Sequence, residues 1–403
     1  MAGAIINIQE SAQNSIFNVF QEPFKMRMEK NIEEYQKGSI IPVLFDMQSM
    51  DTFQEEYRST TGMDGFDITN DMEIAPLSDI EESYNVIYRT RTWANSFSIS
   101  KLTMEDGQIQ SELPRALNFI NGYGRTREQY ACALIGSALG TVTTWTKKDG
   151  KTVDISANGK GMDTTDGTIT GTKQQYFHNA HKPAGYSSTS GDPRNFTQSN
   201  KFYTTLNFTG TDPEIELKLG DIFQQVIDTM AVYKADKGEI MGTNPTTIIV
   251  NKGDTKLKEA LYRMLKSKFG SPMAGNGVNL QYGIFTVFES AYLSAISGFA
   301  VADHSIILVD PMANKELQGA VWKDRIPLTI RSYVTDGTEA NVWTARARYD
   351  GKFGDFKPIS YLCLGGTQTT NATALTALST SIQSVSVISS TENPVYTDEV
   401  PIV

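Results

Sequence analysis

Between Glu112 and Leu139 the apolar residues Leu113, Leu117, Ile120, Tyr123, Tyr130, Ala131, Leu134, Ile135, Ala138 and Leu139 mostly fall three or four positions apart. That spacing puts side chains on one face of a helix. Ser111 is placed to cap the start, Pro114 falls in the first turn, and Gly140 marks the end. At 1.5 Å per residue such a helix is about 40 Å long, long for a globular core and long enough to span a flat domain. Gly122 and Gly124 interrupt it, each at roughly 1 kcal/mol relative to Ala. Either the helix bends there or something packs close.

A chain of 403 residues allows two or three compact units around this rod. With 39% hydrophobic and 20% charged residues it has material for a packed core and is not globally disordered. Its net charge of −10 argues against a dedicated nucleic-acid binder, which would carry a basic face. Cys132 and Cys363 lie inside apolar segments, as isolated buried thiols would, and two cysteines are too few for a disulfide framework. MAGAIINIQESAQ has no basic region followed by an apolar run, so no signal peptide is expected. The most apolar window, 283–302, is broken by Glu289 and by serines and glycines, and is too polar for a membrane span. A soluble protein made and kept, or assembled, inside a cell is the expectation.

The first 45 residues have no core of their own. Phe17, Phe20, Phe24, Met28 and Ile32 step at three and four among charged residues, which predicts short amphipathic helices on an arm that buries its stripe elsewhere. A helix is predicted over 46–60 from Met50, Phe53 and Tyr57. The period then changes to two along Val86–Ile99, which predicts strands. The acidic stretch 67–83 is the expected outgoing limb of a long projecting hairpin. Residues 141–213 read as a loop-dominated insertion, with Asp-Gly turn signals in KKDGKT and TTDGT. Further helices are predicted over 218–234 and 255–269. Strands are predicted at 246–250, 284–288, 299–302, 306–309, 328–334 and 342–349. From Gly365 onward the chain is Thr-, Ser-, Ala- and Asn-rich, a tail suited to flexibility or to strand addition on a neighbour.

Searching for chemistry yields little. His178 and His181 in HNAH have the spacing of a metal pair, but Pro183 and Gly185 bracket a loop and no third ligand accompanies them. GKT at 150–152 ends like a phosphate loop, yet Trp145 stands where the upstream glycine belongs. The carboxylate neighbours Glu55–Glu56 and Glu81–Glu82 read as solvated faces. Arg346, Arg348 and Lys352 alternate in TARARYDGK, as one exposed face of a strand does. No catalytic, cofactor or metal residue is assigned.

The order of elements, with FSISKLTMED before the long helix, NPTTIIVNKGDTKLKEAL, LQYGIFTVFESAYL, VADHSIILVDP and the closing NVWTARARYDGKFGDFKPISYL, resembles the major capsid proteins of tailed bacteriophages, which share the Hong Kong 97-type fold. The resemblance spans about 40–365. It implies an α+β fold with an N-terminal arm over 1–59, an extended β-hairpin loop over 60–103, and a peripheral domain over 104–219 holding the spine helix and the turn-rich insertion. A mainly axial domain over 220–335, a return to the peripheral domain over 336–365, and a tail over 366–403 complete it. The implied function is a head protein that self-assembles into hexamers and pentamers of an icosahedral shell around double-stranded DNA. Its partners would be other copies of itself, a separate scaffolding protein, a portal and DNA held weakly without sequence specificity, with no cofactor and no membrane. It would reside in the virion after assembly in the host cytoplasm. The expected intersubunit contacts are Phe17, Phe20, Phe24, Arg89, Arg91, Trp93, Arg346 and Arg348. Rings of this kind use heterologous contacts, each subunit presenting two different surfaces. The competing readings are a carboxylate-based hydrolase with 141–213 as a lid, and a surface-array protein built on the Thr/Ser-rich tail.

Overall fold

The computed structural model describes residues 5–8, 30, 32, 38–60, 82–105, 109–155, 175–183, 186–209, 212–266, 279, 281–335 and 340–375. The arm phenylalanines Phe17, Phe20 and Phe24, the segment 61–81 and most of the tail lie outside them. The fold is mixed, with helices and strands interleaved along the chain.

Two large sheets organise it. In the first, β12 (Ala320–Val334) pairs antiparallel with β13 (Asn341–Phe353), and β13 pairs antiparallel with β5 (Arg91–Ile99). The other edge of β12 takes two parallel strands from the N-terminal chain. β2 (Asp46–Ser49) lies along 321–324, and β1 (Ile5–Ile8) along 329–332. Between them lies Pro327, which has no N–H to donate, and there the β12–β13 register shifts.

The second sheet has six strands in the order β10 (Thr286–Ser290), β9 (Thr247–Asn251), β11 (Ser305–Val309), β14 (Ile359–Cys363), β8 (Lys201–Tyr203) and β15 (Thr373–Ala374). TIIVN, SIILV and ISYLC are buried along their whole length, the signature of strands covered on both faces. Their alternate residues part between two cores. Ile249, Ile307, Val309, Tyr361 and Cys363 join the core under the long helix. Ile248, Val250, Ile306, Leu308 and Leu362 join an aliphatic core with α4 (Asp212–Ala231) and α5 (Thr255–Lys266). Period two thus makes one sheet the wall between two cores.

The long helix, α3 (Ile109–Ala138), follows α1 (Ile41–Leu44) and the short α2 (Lys101–Glu105) and packs on β13 and β5. It runs unbroken through Gly122 and Gly124. A methyl group at Gly122 would meet no atom within 4 Å, so close packing is not the reason for that glycine. The helix starts before Ser111, which therefore lies inside it and not at its cap. Pro114 likewise sits inside rather than in the first turn, where it removes one backbone hydrogen bond. Glu128, buried on α3, accepts hydrogen bonds from Ser39 Oγ and the Ile40 N–H, tying the arm's exit to the helix.

Other expectations change too. Residues 46–60 form no helix. β2 joins the first sheet, while β3 (Gln54–Thr60) pairs antiparallel with β4 (Glu82–Arg89). The outgoing hairpin limb is therefore 54–60, and most of 67–83 lies outside the described residues. The spacing of Met50, Phe53 and Tyr57 mimics a helix, but β pairing overrides it. The expected strand over 299–302 is replaced by a 3₁₀ turn at Val301–Asp303. The Asp303 carboxylate closes it by accepting from the Ala300 N–H, after Gly298 turns the chain at φ 101°. The helix expected over 218–234 begins at Asp212 and ends at Ala231, and the one over 255–269 is described from Thr255 to Lys266. The segment 336–365 divides, β13 in the first sheet and β14 in the second. Cys132 and Cys363 are buried free thiols. Within the insertion, β6 (Thr144–Thr146) and β7 (Thr152–Asp154) form the hairpin that KKDGKT signals, with Gly150 at φ 79°. No helix among the described residues is long and apolar enough to cross a membrane. The short α6 (Pro311–Leu317) completes the helices named here, capped by the Asp310 carboxylate on the N–H groups of Met312 and Ala313.

Candidate functional site

The densest side-chain chemistry lies where α3 crosses the first sheet. Across the β13–β5 ladder, Trp93 stacks on Tyr349 with ring centres 5.1 Å apart and planes 5° from parallel. Tyr349 stacks in turn on Trp322 of β12 at 5.2 Å. From the helix, Tyr130 meets Trp93 at 4.9 Å and Trp322 edge-on at 6.0 Å. Trp145 of the β6–β7 hairpin closes the cluster 5.8 Å from Trp93. Offset stacked and edge-to-face pairs of this kind are worth about 0.5–1.5 kcal/mol each beyond the area they bury.

A charge sits inside this cage. The Arg127 guanidinium lies 5.2 Å from the Trp322 ring and 5.3 Å from that of Tyr349. It pairs with Asp324 Oδ2 at 2.8 Å and donates to Tyr123 Oη at 3.2 Å. Tyr123, Arg127 and Tyr130 are four and three residues apart and share a helix face. Asp350, fully buried, accepts from Tyr130 Oη at 2.5 Å and from the Gly351 N–H at 3.0 Å. Burial raises the Asp350 carboxyl pKa against the pull of Lys352 and Arg91, and burial with Asp350 beside it raises that of Tyr130 well above the ordinary phenol.

Beside the cage opens a groove of about 730 Å³ between α3, β5, β13 and the β6–β7 hairpin. Its floor includes Phe119, Ala345 and Tyr349, and Trp93, Tyr123 and Trp145 line it as well. Arg91, Arg125, Lys147 and Lys148 line it with a single acidic residue, Asp149: four cations less one anion, a net +3 on a chain of −10.

The residues expected at intersubunit contacts are placed variously. Trp93 is packed within the chain and donates weakly to the Tyr349 carbonyl at 3.4 Å. Arg91 lines the groove and donates to the Asp154 carbonyl at 2.7 Å. Arg89 lies 4.9 Å from the Phe53 ring on the β3–β4 hairpin. Arg346 is exposed, while Arg348 donates to Thr92 Oγ1 at 2.8 Å across the ladder. Phe17, Phe20 and Phe24 fall outside the described residues. Sequence reading missed Arg127, Asp324 and the basic groove, although the i, i+4, i+7 register of Tyr123, Arg127 and Tyr130 was the available signal.

His178 and His181 are brought close, ring centres 5.8 Å apart, but each has another role. His181 is buried, stacked 4.0 Å from Phe356 and 2.9 Å from Asn200 Oδ1. His178 Nδ1 accepts from the Ala180 N–H at 3.0 Å. No group of three or more metal-binding side chains occurs among the described residues.

No protein-family model and no curated protein matches the chain. Among solved structures it is similar to a chain from the capsid of the Cyanophage P-SCSP1u (9% identity, TM-score 0.44, 79% of this chain and 86% of that one). It is also similar to the virus-like particle from Pyrococcus furiosus (8%, TM-score 0.41, 84% and 98%) and to the capsid of the native GTA particle (12%, TM-score 0.40, 81% and 89%). The structures named are a phage capsid, a GTA capsid and a virus-like particle. At these identities no residue role is carried over from them.

Proposed function

We propose that this chain is a major capsid protein of the Hong Kong 97-type, a subunit that closes into hexamers and pentamers of an icosahedral shell around double-stranded DNA. The observation that carries the reading is the β3–β4 hairpin, which pairs with neither large sheet. Among the described residues its base is packed by Met50, Val86, Tyr88 and Val321 with Tyr57 against them. Phe53 and Ile87 remain 44% and 41% exposed. A lone two-stranded hairpin is marginally stable at best in water, so a projecting one needs a surface on another copy. The order of elements in the described residues, arm strand, projecting hairpin, long helix across a sheet, then a second sheet with two helices, supports the same reading.

Within it, the first sheet with α3 is the peripheral domain and the second sheet with α4 and α5 the core of the axial domain. A scaffolding protein and a portal are the expected partners, the virion is the destination, and the role is structural rather than catalytic. A zinc site at His178 and His181 would favour the carboxylate-based hydrolase alternative, but His181 is buried against Phe356 and Asn200 and His178 accepts from the Ala180 N–H. The test is negative-stain microscopy and sedimentation of purified protein, alone and with a scaffold. Rings, tubes or closed shells are expected, and a strict monomer at high concentration under both conditions overturns the reading.

A further inference from the structure

We infer that the face of the first sheet turned away from α3 is a contact for the phosphate backbone of duplex DNA, carried by Arg331, Arg346 and Arg348. This rests on the shell reading above, which supplies the DNA, and names the surface that meets it. Period two divides the strands between two faces. Leu328, Ile330, Trp343, Ala345 and Ala347 join the core under α3. Their alternates Arg331, Arg346 and Arg348 therefore point the other way, with Ala94, Ser96 and Ser98 of β5 beside them. Arg331, Arg346 and those three β5 residues are exposed, so no described element covers that stretch of the sheet.

Charge and relief select the occupant. No Asp or Glu occurs in 91–99, 325–334 or 341–349, the stretches that build this face, although the chain as a whole carries −10. No ion pair involves Arg331 or Arg346 among the described residues. Arg348 donates through Nε to Thr92 Oγ1, which leaves its two terminal amino groups to donate elsewhere. Arg331 stands opposite Thr344, diagonal to Arg346, and Arg348 is two residues further along β13, so the steps between the three are about 7 Å. A guanidinium fork matches phosphate bidentately. The Ser and Thr hydroxyls around it are short donors of the kind that meet phosphate oxygens. A protein partner would ask for aromatic or apolar anchors, and Tyr333 is the one exposed large hydrophobic residue on these strands among the described residues. A flat sheet face has nothing to insert into a DNA groove, so the contact reads no bases.

The test uses the full chain, kept below the concentration at which it associates, with short duplexes of two unrelated sequences and anisotropy read across a salt series. Three phosphate contacts predict equal affinity for both duplexes and a slope of log K against log salt of about −2.7. R331Q/R346Q should bring the slope to about −0.9 with the melting temperature unchanged, and R331K/R346K should keep the wild-type slope, because charge sets it. A slope untouched by R331Q/R346Q overturns the assignment, as does a preference of about tenfold or more for one duplex. Loss of the slope in K147Q/K148Q instead moves the contact to the α3 groove and overturns it as well. Tighter binding of poly-glutamate than of duplex at the same salt makes the partner an acidic protein, with the same consequence. None of these outcomes depends on assembly. Shells that form normally beside an unchanged slope overturn the phosphate contact and leave the shell reading standing. Wild-type protein that never forms rings or shells overturns that reading, with the phosphate contact still decided by the slopes.

Discussion

The two cores on either side of the six-stranded sheet are built on different principles. On the α4–α5 side the packing is mainly aliphatic, with Leu219, Ile222, Val226, Leu257, Leu261, Ile306, Leu308 and Leu362 around the rings of Phe202, Phe223 and Tyr233. On the α3 side, stacked aromatic rings hold an arginine, and Tyr130, Asp350, Glu128 and Ser39 bring polar groups into the interior. An aliphatic core stabilises through area and close packing, without direction. A polar-aromatic core fixes the orientation of what it joins, because each buried group needs its partner in place. That separates a region that only has to hold together from one where a helix, a sheet and an insertion hairpin must meet at set angles around a groove.

The largest expected effect lies on the aliphatic side. Leu308→Ala should cost about 3 kcal/mol in denaturant unfolding, since Leu308 is fully buried and packed between sheet and helices. No second substitution nearby should recover it. On the α3 side Arg127→Met should cost about 2 kcal/mol, reduced from the full penalty of breaking a buried pair because both side chains keep some exposure to solvent. Here a second change should help. R127M/D324N should recover half or more of the loss. It removes the unpaired carboxylate, while the new side-chain amide oxygen can still accept from Trp322 Nε1, as Asp324 does at 3.1 Å. If the two cores respond alike, both additive or both rescuable, the distinction drawn between them fails.

Acid should separate regions as well. Burial, with His178 nearby, pushes the His181 pKa down from 6.5 to about 3, against the pull of Asn200 and Asp355. The folded state therefore keeps His181 neutral while the unfolded state takes up a proton below 6.5. Stability is full above that pH and falls by about 1 kcal/mol per unit as pH drops from 6.5 toward 3. Thermal melts of wild type and His181→Gln between pH 7 and 4 check this. The variant melts lower at pH 7 but should show the shallower pH dependence, and parallel curves would remove His181 as the cause.

How much of this was legible follows from where the determinants sit. The α3 stripe and the buried runs TIIVN and SIILV are local patterns, and the chain realises them within a few residues. Asp46–Thr60 misled because Met50, Phe53 and Tyr57 have helical spacing, whereas pairing with 321–324 and 82–89 decides the conformation. The groove was invisible for a related reason. Its walls come from 91–95, 119–129, 145–153 and 345–349, and only the fold brings them together. KKDGKT signals a turn by itself, and nothing local says that Lys147 and Lys148 border a groove beside a helix.

The smallest effect has the opposite sign and bears most directly on the α3 region. Gly122 lies in unbroken helix, a Cβ there would meet nothing within 4 Å, and the residue lines the groove. Gly122→Ala should therefore stabilise the isolated chain by about 0.5–1 kcal/mol, the ordinary gain of Ala over Gly inside a helix. A glycine at that cost, with room for a methyl group, calls for a reason outside the single chain. One is a bend that lets the same helix fit flat and curved positions of a shell; the other is an occupant of the groove that needs the missing methyl's space. The variant separates them when assembly is measured beside stability. A bend predicts that single rings form normally and closed shells fail. An occupant predicts that the first association step weakens. If G122A is more stable and assembles like wild type at every stage, neither reason holds, and the glycine is unrelated to assembly.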